Sequence, residues 1–170
     1  MIRPLKPKDI HNFISFCQTR DKFSDFYITQ DRKRLFLNNA IVAKKLFNDC
    51  LKHGDKCFVK EENNSISAIL LVVGYKGKFP RKYVKMLTTC ENDIKDLLNY
   101  LQWQKLPNLF VKAKKTNRNF LKYDERTKKY KPTYFMRKNG FRIIVERDKE
   151  ILLKKEEYRR VYNKYNNKRN

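Results

Sequence analysis

Lysines and arginines set among aromatic residues are the part of this sequence best suited to chemistry, and the chemistry they suit is the binding of anions. Lys76, Lys78, Arg81, Lys82 and Lys85 place +5 within ten residues with no acid between them, and Gly77 and Pro80 mark the stretch as a loop. Between Lys105 and Asn139, nine Lys and three Arg face only Asp124 and Glu125, a net of +10, with Tyr123, Tyr130 and Tyr134 interspersed. Cations neutralise phosphates and rings stack on bases. Nucleic-acid contacts are therefore expected at Lys76, Lys78, Arg81, Lys82, Lys112, Lys114, Lys115 and Arg118. No helix-turn-helix, zinc-finger or RNP-type aromatic string accompanies them, which points to the backbone or a single strand rather than base readout. The competing reading of each charge run is a solvated face.

Cys50, His53 and Cys57 form a C-x2-H-x3-C string, one ligand short of a closed tetrahedral zinc shell. Each has an ordinary place instead: Cys50 continues an apolar helix face, His53 precedes the turn residue Gly54, and Cys57 opens a strand. No metal is expected. The four cysteines, Cys17, Cys50, Cys57 and Cys90, lack paired spacing and read as reduced thiols without a disulfide.

Across all 170 residues, 41 Lys and Arg against 18 Asp and Glu leave +23, while 41% of residues are hydrophobic. That is enough apolar material for one packed core, so general disorder is excluded. The field attracts nucleic acid, an anionic membrane or acidic protein, nucleic acid being the default partner; simple solubility is the alternative. No apolar run approaches the roughly 18 residues of a spanning helix, and the opening MIRPLKPKD lacks the apolar centre of a signal peptide. A cytoplasmic protein that does not contact membrane is expected.

These residues must be positioned by an alternating series of elements. Met1 to Leu5 reads as a strand, followed by a helix with Ile10, Phe13, Ile14 and Cys17 on one stripe. A second helix is predicted from Asp31 to Lys52 through Leu35, Ala43, Leu46, Phe47 and Cys50. Lys56 to Glu61 and Ser65 to Tyr75 form a hairpin around Glu62-Asn63-Asn64, and Ile69 to Val73 suits a central strand buried on both faces. Tyr83 to Leu87 is a further strand, and Thr88-Thr89-Cys90-Glu91 fits a capping box for a third helix bearing Ile94, Leu97, Leu98 and Leu101. Leu109 to Ala113 returns as a strand, completing a βαβ unit. A broken helical stretch follows from Asn117 to Asn139, then a hairpin of Phe141 to Glu146 and Glu150 to Lys154. Residues 1–154 are read as one α/β domain, and 155–170 as a basic, Tyr-rich C-terminal helix or tail.

Strand, two helices, three strands, helix, strand, helix, two strands is an order that resembles the GNAT superfamily of acyltransferases along nearly the whole chain. MIRPLKPKDIHNFISFC is similar to the family's opening strand and helix, and FMRKNGFRIIVERDKEILLKK to its closing element, where Lys-x-Gly-Phe leads into the last hairpin. The resemblance implies an α/β (α+β) fold with a mixed sheet of about six to seven strands, about four helices on both faces, and an added C-terminal helix. It also implies acetyl-CoA in a splay between Tyr83 to Leu87 and Leu109 to Ala113, with Lys85, Met86, Leu87, Thr88, Thr89, Arg118 and Lys122 as cofactor contacts.

Two departures from the family pattern bear on activity. The pyrophosphate loop, Gln/Arg-x-x-Gly-x-Gly/Ala, is replaced by Thr88-Thr89-Cys90-Glu91-Asn92-Asp93 without either glycine. A capping box of Thr88 and Glu91 would then fill the site, with Glu91 and Asp93 putting negative charge there. Met136 stands where many members carry a proton-donating Tyr, with Tyr134 nearby and Lys122 to Thr133 reading as an insertion that breaks the helix at Pro132. For a general base the resemblance leaves Glu61 and Glu62, against the ordinary reading of two solvated strand-end acids. Three functions stay open: a divergent N-acyltransferase acting near a polyanion, a noncatalytic module of this fold binding nucleic acid or ribonucleoprotein, and an accessory protein of a phage-like particle, found in host cytoplasm or virion.

Overall fold

The computed structural model describes residues 1–20, 27–30, 33–52, 56–75, 81–88, 90–104 and 106–156. Lys76, Lys78, His53, Thr89, the side chains of Arg81 and Glu91, and the expected C-terminal helix beyond residue 156 lie outside the described residues. In chain order the elements are β1 (Ile2–Pro4), a single 3-10 turn (Pro7–Asp9), α1 (Ile10–Gln18), β2 (Tyr27–Gln30), β3 (Lys33–Phe36) and α2 (Ala40–Lys52). They continue with β4 (Lys56–Glu62), β5 (Ser65–Tyr75), β6 (Arg81–Leu87), α3 (Glu91–Trp103), β7 (Leu109–Lys114), β8 (Leu121–Asp124) and β9 (Lys129–Pro132). The last are α4 (Tyr134–Lys138), β10 (Phe141–Glu146) and β11 (Glu150–Lys155).

Seven strands form one mixed sheet in the order β1-β4-β5-β6-β7-β11-β10, and among its pairs only β6 with β7 runs parallel. The expected fold class is therefore the observed one. β5 lies inside the sheet, and its unbroken apolar run is covered on both sides: Leu70 and Val72 join the core beneath α3, Ile69 and Leu71 the core beneath α1 and α2. Alternate Cβ atoms of a strand point to opposite faces, so a strand buried twice loses its polar alternation. The β4–β5 reversal uses Asn63 and Asn64 at φ 49° and 61°, the left-handed conformation that a two-residue hairpin turn demands and asparagine tolerates.

Two ion-pair networks tie the first half of the sheet to its helices. The Arg3 guanidinium donates to both Asp9 carboxylate oxygens (2.7 and 2.9 Å) and to Glu61 Oε2 (2.8 Å). Lys60 Nζ lies 2.6 Å from Asp93 Oδ1, 2.8 Å from Asp96 Oδ2 and 2.8 Å from Glu62 Oε1, joining β4 to the first turns of α3. Lys60 and Asp93 are both buried, so each offsets the desolvation of the other.

Three expectations are corrected. The second helix starts at Ala40, not Asp31, because Asn39 Oδ1 accepts from the amides of Ile41 and Val42 (2.9 and 3.3 Å). Lys33–Phe36 instead pairs with Tyr27–Gln30 as a hairpin, so Leu35 shares the helical spacing of Ala43 only by coincidence. The stretch from Asn117 to Asn139 is mostly not helical: β8 and β9 pair antiparallel, and α4 begins after Pro132, where the Thr133 hydroxyl accepts from the Met136 amide (3.3 Å). Asp124 Oδ1 accepts from the amides of Arg126 and Thr127 and so closes the β8–β9 turn. Finally, Thr88 and Glu91 do not form a capping box. Cys90 is the residue preceding α3, and the Thr88 hydroxyl accepts from the Cys90 amide (3.1 Å) while bonding to Asp93 Oδ2 (3.0 Å).

Cys17, Cys50 and Cys57 are buried in the core beneath α1 and α2, Cys90 is exposed, and all four are free thiols. Burial pushes the Cys17 thiol up to about 12, and a hydrogen bond with Cys50 together with burial raises that of Cys57. Among the described residues no group of three or more His, Cys, Asp or Glu is placed to hold a metal, and no helix is long and apolar enough to cross a membrane.

Candidate functional site

The parallel contact between β6 and β7 covers three residue pairs, Lys82 with Leu109, Tyr83 with Phe110 and Val84 with Val111, and then ends. Both strands continue, β6 to Leu87 against β5 and β7 to Lys114 against β11. Their facing edges therefore separate into a wedge, and the backbone groups along those edges are left to other partners. At its mouth a cleft of about 300 Å³ is lined by Met86, Thr88 and Ile94 on one side and Thr116 to Phe120 on the other. A second cleft of about 500 Å³ shares Thr116 and Arg118 and extends to Lys115, Lys122, Tyr123 and Tyr130 of the hairpin region.

Of the expected cofactor contacts, Met86, Thr88 and Arg118 meet at the first cleft, and Lys122 lines the second. Lys85 and Leu87 point to the opposite face of the sheet. Leu87 is buried in the core under α1 and α2, and Lys85 Nζ sits 3.9 Å from the centre of the Tyr27 ring and also donates to the Tyr27 carbonyl. Strand alternation explains the split, since Lys85 and Leu87 share a parity that Met86 does not.

Of the two acids expected at the start of α3, Asp93 is turned onto Lys60 and the Thr88 hydroxyl, and the three carboxylates around Lys60 raise its pKa, the hydrogen bond it donates to Asp93 contributing most. In the segment that the resemblance gives to the pyrophosphate loop, the Cys90 amide is taken by the Thr88 hydroxyl. Arg118 faces this corner across the cleft, and among the described residues it has no ion-pair partner.

Glu61 and Glu62 lie on β4, with β5 between them and β6, and are held by Arg3 and Lys60 respectively. Tyr134 opens α4 at the surface, 73% exposed, whereas Met136 is fully buried. Lys112 and Lys114 share a face of β7 with Phe110, on the side of the sheet where Lys85 lies. Lys112 Nζ is 5.1 Å from the Tyr83 ring centre, Lys114 Nζ is 5.8 Å from that of Tyr27, and the Arg34 guanidinium is 4.9 Å from the same ring. Lys115 is paired with Glu146 at 2.9 Å, which raises its pKa. Lys82 lies on β6 opposite Leu109, and Arg81 opposite Tyr75. The basic residues thus divide between the two sheet faces rather than forming one rim. Tyr27, Arg34 and Tyr83 are not singled out by the sequence, because what groups them with the lysines is the β2–β3 pairing for the first two and the β6–β7 pairing for Tyr83.

No known family profile matches this sequence, and no curated protein does. Solved structures do resemble it. A GNAT-family acetyltransferase from Streptococcus pneumoniae is 16% identical, covers 91% of this chain and 95% of its own, and superposes with a TM-score of 0.57. The ribosomal-protein-S5-alanine acetyltransferase from Vibrio fischeri is 12% identical over 90% of each chain, with a TM-score of 0.61. The ribosomal-protein-alanine N-acetyltransferase from Brucella melitensis is 11% identical, with 91% and 98% coverage and a TM-score of 0.56. Identities this low speak to architecture alone, and together with the parallel β6–β7 contact that opens into a wedge they show that this chain has the GNAT acetyltransferase fold.

Proposed function

We propose that the chain is an acetyl-CoA-dependent N-acyltransferase whose acceptor amine is presented by, or beside, a polyanion. The observation that carries this reading is the parallel β6–β7 pairing that stops after Val84 and Val111 and leaves an open wedge. Acetyl-CoA supplies an acyl thioester that an amine can attack. The β6 edge at Met86 and Leu87, beyond the last pair with β7, would hold an extended amide-bearing arm as an added strand does. Met86, Ile94 and Phe120 line the cleft together with polar residues, and Arg118 is the cation available to a diphosphate at its mouth. On the other face, Lys85, Lys112, Lys114 and Arg34 with their rings make the surface that would attract a polyanionic acceptor.

A second reading, a noncatalytic module of the same fold that binds nucleic acid or ribonucleoprotein, is favoured by two observations. Met136, at the position where the resemblance implies a proton-donating Tyr, is buried, and Thr88 already occupies the Cys90 amide. Titration calorimetry with acetyl-CoA separates the two. Saturable one-site heat, weakened about tenfold by Arg118→Glu through loss of a charged hydrogen bond, is the expected result, and silence at millimolar acetyl-CoA would remove the enzyme reading.

A further inference from the structure

The β8–β9 hairpin carries aromatic and cationic groups that the acyl-transfer reading does not use. Tyr123 and Tyr130 are cross-strand partners with ring centres 5.0 Å apart and planes tilted by 60°. Tyr130 packs in part against the main core, but Tyr123 is 40% exposed. Lys115 Nζ lies 5.3 Å from the Tyr130 ring centre, and the two rings line a cleft of about 500 Å³ together with Lys115, Thr116, Arg118 and Lys122. Among the described residues neither Arg118 nor Lys122 has an ion-pair partner. A cleft with one exposed ring, a second ring behind it and unneutralised cations at its rim is complementary to a flat heterocycle attached to a phosphate.

We propose that this cleft takes one unstacked nucleotide of a single-stranded nucleic acid, its base on Tyr123 and its phosphates against Arg118 and Lys122. The volume suits one base and its sugar and is too small for a duplex. α4, the helix next to the cleft, has five residues and is packed against the sheet, so it is not free to enter a major groove. A strand is favoured over a free nucleotide because exposed cations continue past the cleft along the hairpin, from Lys122 to Arg126 and Lys129, and exceed what one nucleotide can neutralise. Ring stacking and cation tracking along the backbone are how sequence-tolerant single-strand sites work. The inference deepens the polyanion part of the proposed function; it shares Arg118 with the acetyl-CoA reading, whereas Tyr123 belongs to it alone.

The test is fluorescence anisotropy of the full chain with a short labelled oligothymidylate, the matching oligouridylate and a duplex of equal length. Either single strand should bind more tightly than the duplex at low salt. Tyr123→Ala should weaken it about tenfold, from the loss of one stacked base, with Tyr123→Trp restoring it. Arg118→Glu supplies a second variant that leaves the hairpin rings untouched. Tyr123→Ala should leave the calorimetric response to acetyl-CoA unchanged, so a failure of the cofactor reading and a failure of this one are told apart. The proposal is overturned by absence of single-strand binding at low salt, by wild-type affinity in both weakening variants, or by displacement of the strand with adenosine monophosphate at equal nucleotide concentration, which would make the cleft a free-nucleotide site.

Discussion

Two groups of cations, both near α3, are treated in opposite ways by this fold. Lys60 is buried and reaches three carboxylates, Asp93, Asp96 and Glu62, within 2.8 Å. Arg118 and Lys122, in the loop after β7 and on β8, are exposed and have no acidic partner among the described residues. The chain holds only 18 acids for 41 bases, so where the acids are spent is informative. Asp9, Glu61, Glu62, Asp93 and Asp96 go to the junctions of the first half-sheet, β1 to the turn before α1 and β4 to α3, while near the clefts Asp124, Glu125 and Glu146 are held by Lys131, Lys128 and Lys115 and not by Arg118 or Lys122. A buried charge must be paired for the fold to survive, whereas an exposed one can be left for a partner.

The largest expected effect tests the first half of that contrast. Lys60→Met keeps the apolar stem and removes the charge, leaving Asp93 buried and unpaired. Chemical denaturation should show a loss of about 3 kcal/mol or more, the usual cost of breaking one side of a buried pair, and Asp93→Asn in the same background should recover part of it. A loss below about 0.5 kcal/mol would mean that Lys60 is as dispensable as a surface lysine.

How legible each half was in the sequence follows from the same contrast. Regions bounded by burial were readable: the run from Ile69 to Val73, the Asn63-Asn64 turn and the stripe of Ile94, Leu97, Leu98 and Leu101 each imply one placement. Regions held by surface pairings were not. Lys33–Phe36 and Lys129–Pro132 are short, polar strands that earn their state only from a partner strand, so local spacing read them as helix. The wedge was anticipated through the family resemblance, but which cations enter it was not. That depends on strand parity, which sends Lys85 away from Met86, and on the hairpin closing Tyr123 onto Tyr130. A parity argument on Val111-Lys112-Ala113-Lys114 would have placed those two lysines on the far face from the alternation alone.

A smaller effect separates the second structural network by pH. Arg3, bonded to both Asp9 oxygens, holds the Asp9 carboxyl below its ordinary value, and the Lys6 amide, 2.8 Å from Asp9 Oδ2, assists. A carboxyl whose folded pKa is depressed contributes stability that is fully present above its unfolded value, about 3.9, and is lost as pH falls through the folded value. Asp9→Asn should therefore cost about 2 kcal/mol near neutrality, as for a hydrogen bond to a charged group. It should also flatten the acid limb of a stability–pH curve below about pH 4. An unchanged acid limb would show that another carboxylate dominates there.

The smallest expected change in stability belongs to the cleft, and it sharpens the comparison most because the binding readout moves the other way. Arg118→Ala with Lys122→Ala removes two exposed cations that hold no acid, so the denaturation midpoint should shift by no more than about 0.5 kcal/mol allows. Relief of repulsion in a chain of net charge +23 could even raise it slightly. Single-strand affinity, by contrast, should fall, and the slope of log K against log salt should shrink by roughly 1.4, since each neutralised phosphate on a single strand contributes about 0.7. A double variant that unfolds like Lys60→Met would place these cations among the groups that hold the fold. Unchanged stability together with an unchanged salt slope would show that they are ordinary solvated charges, and the contrast between spent and reserved cations would then be one of burial alone.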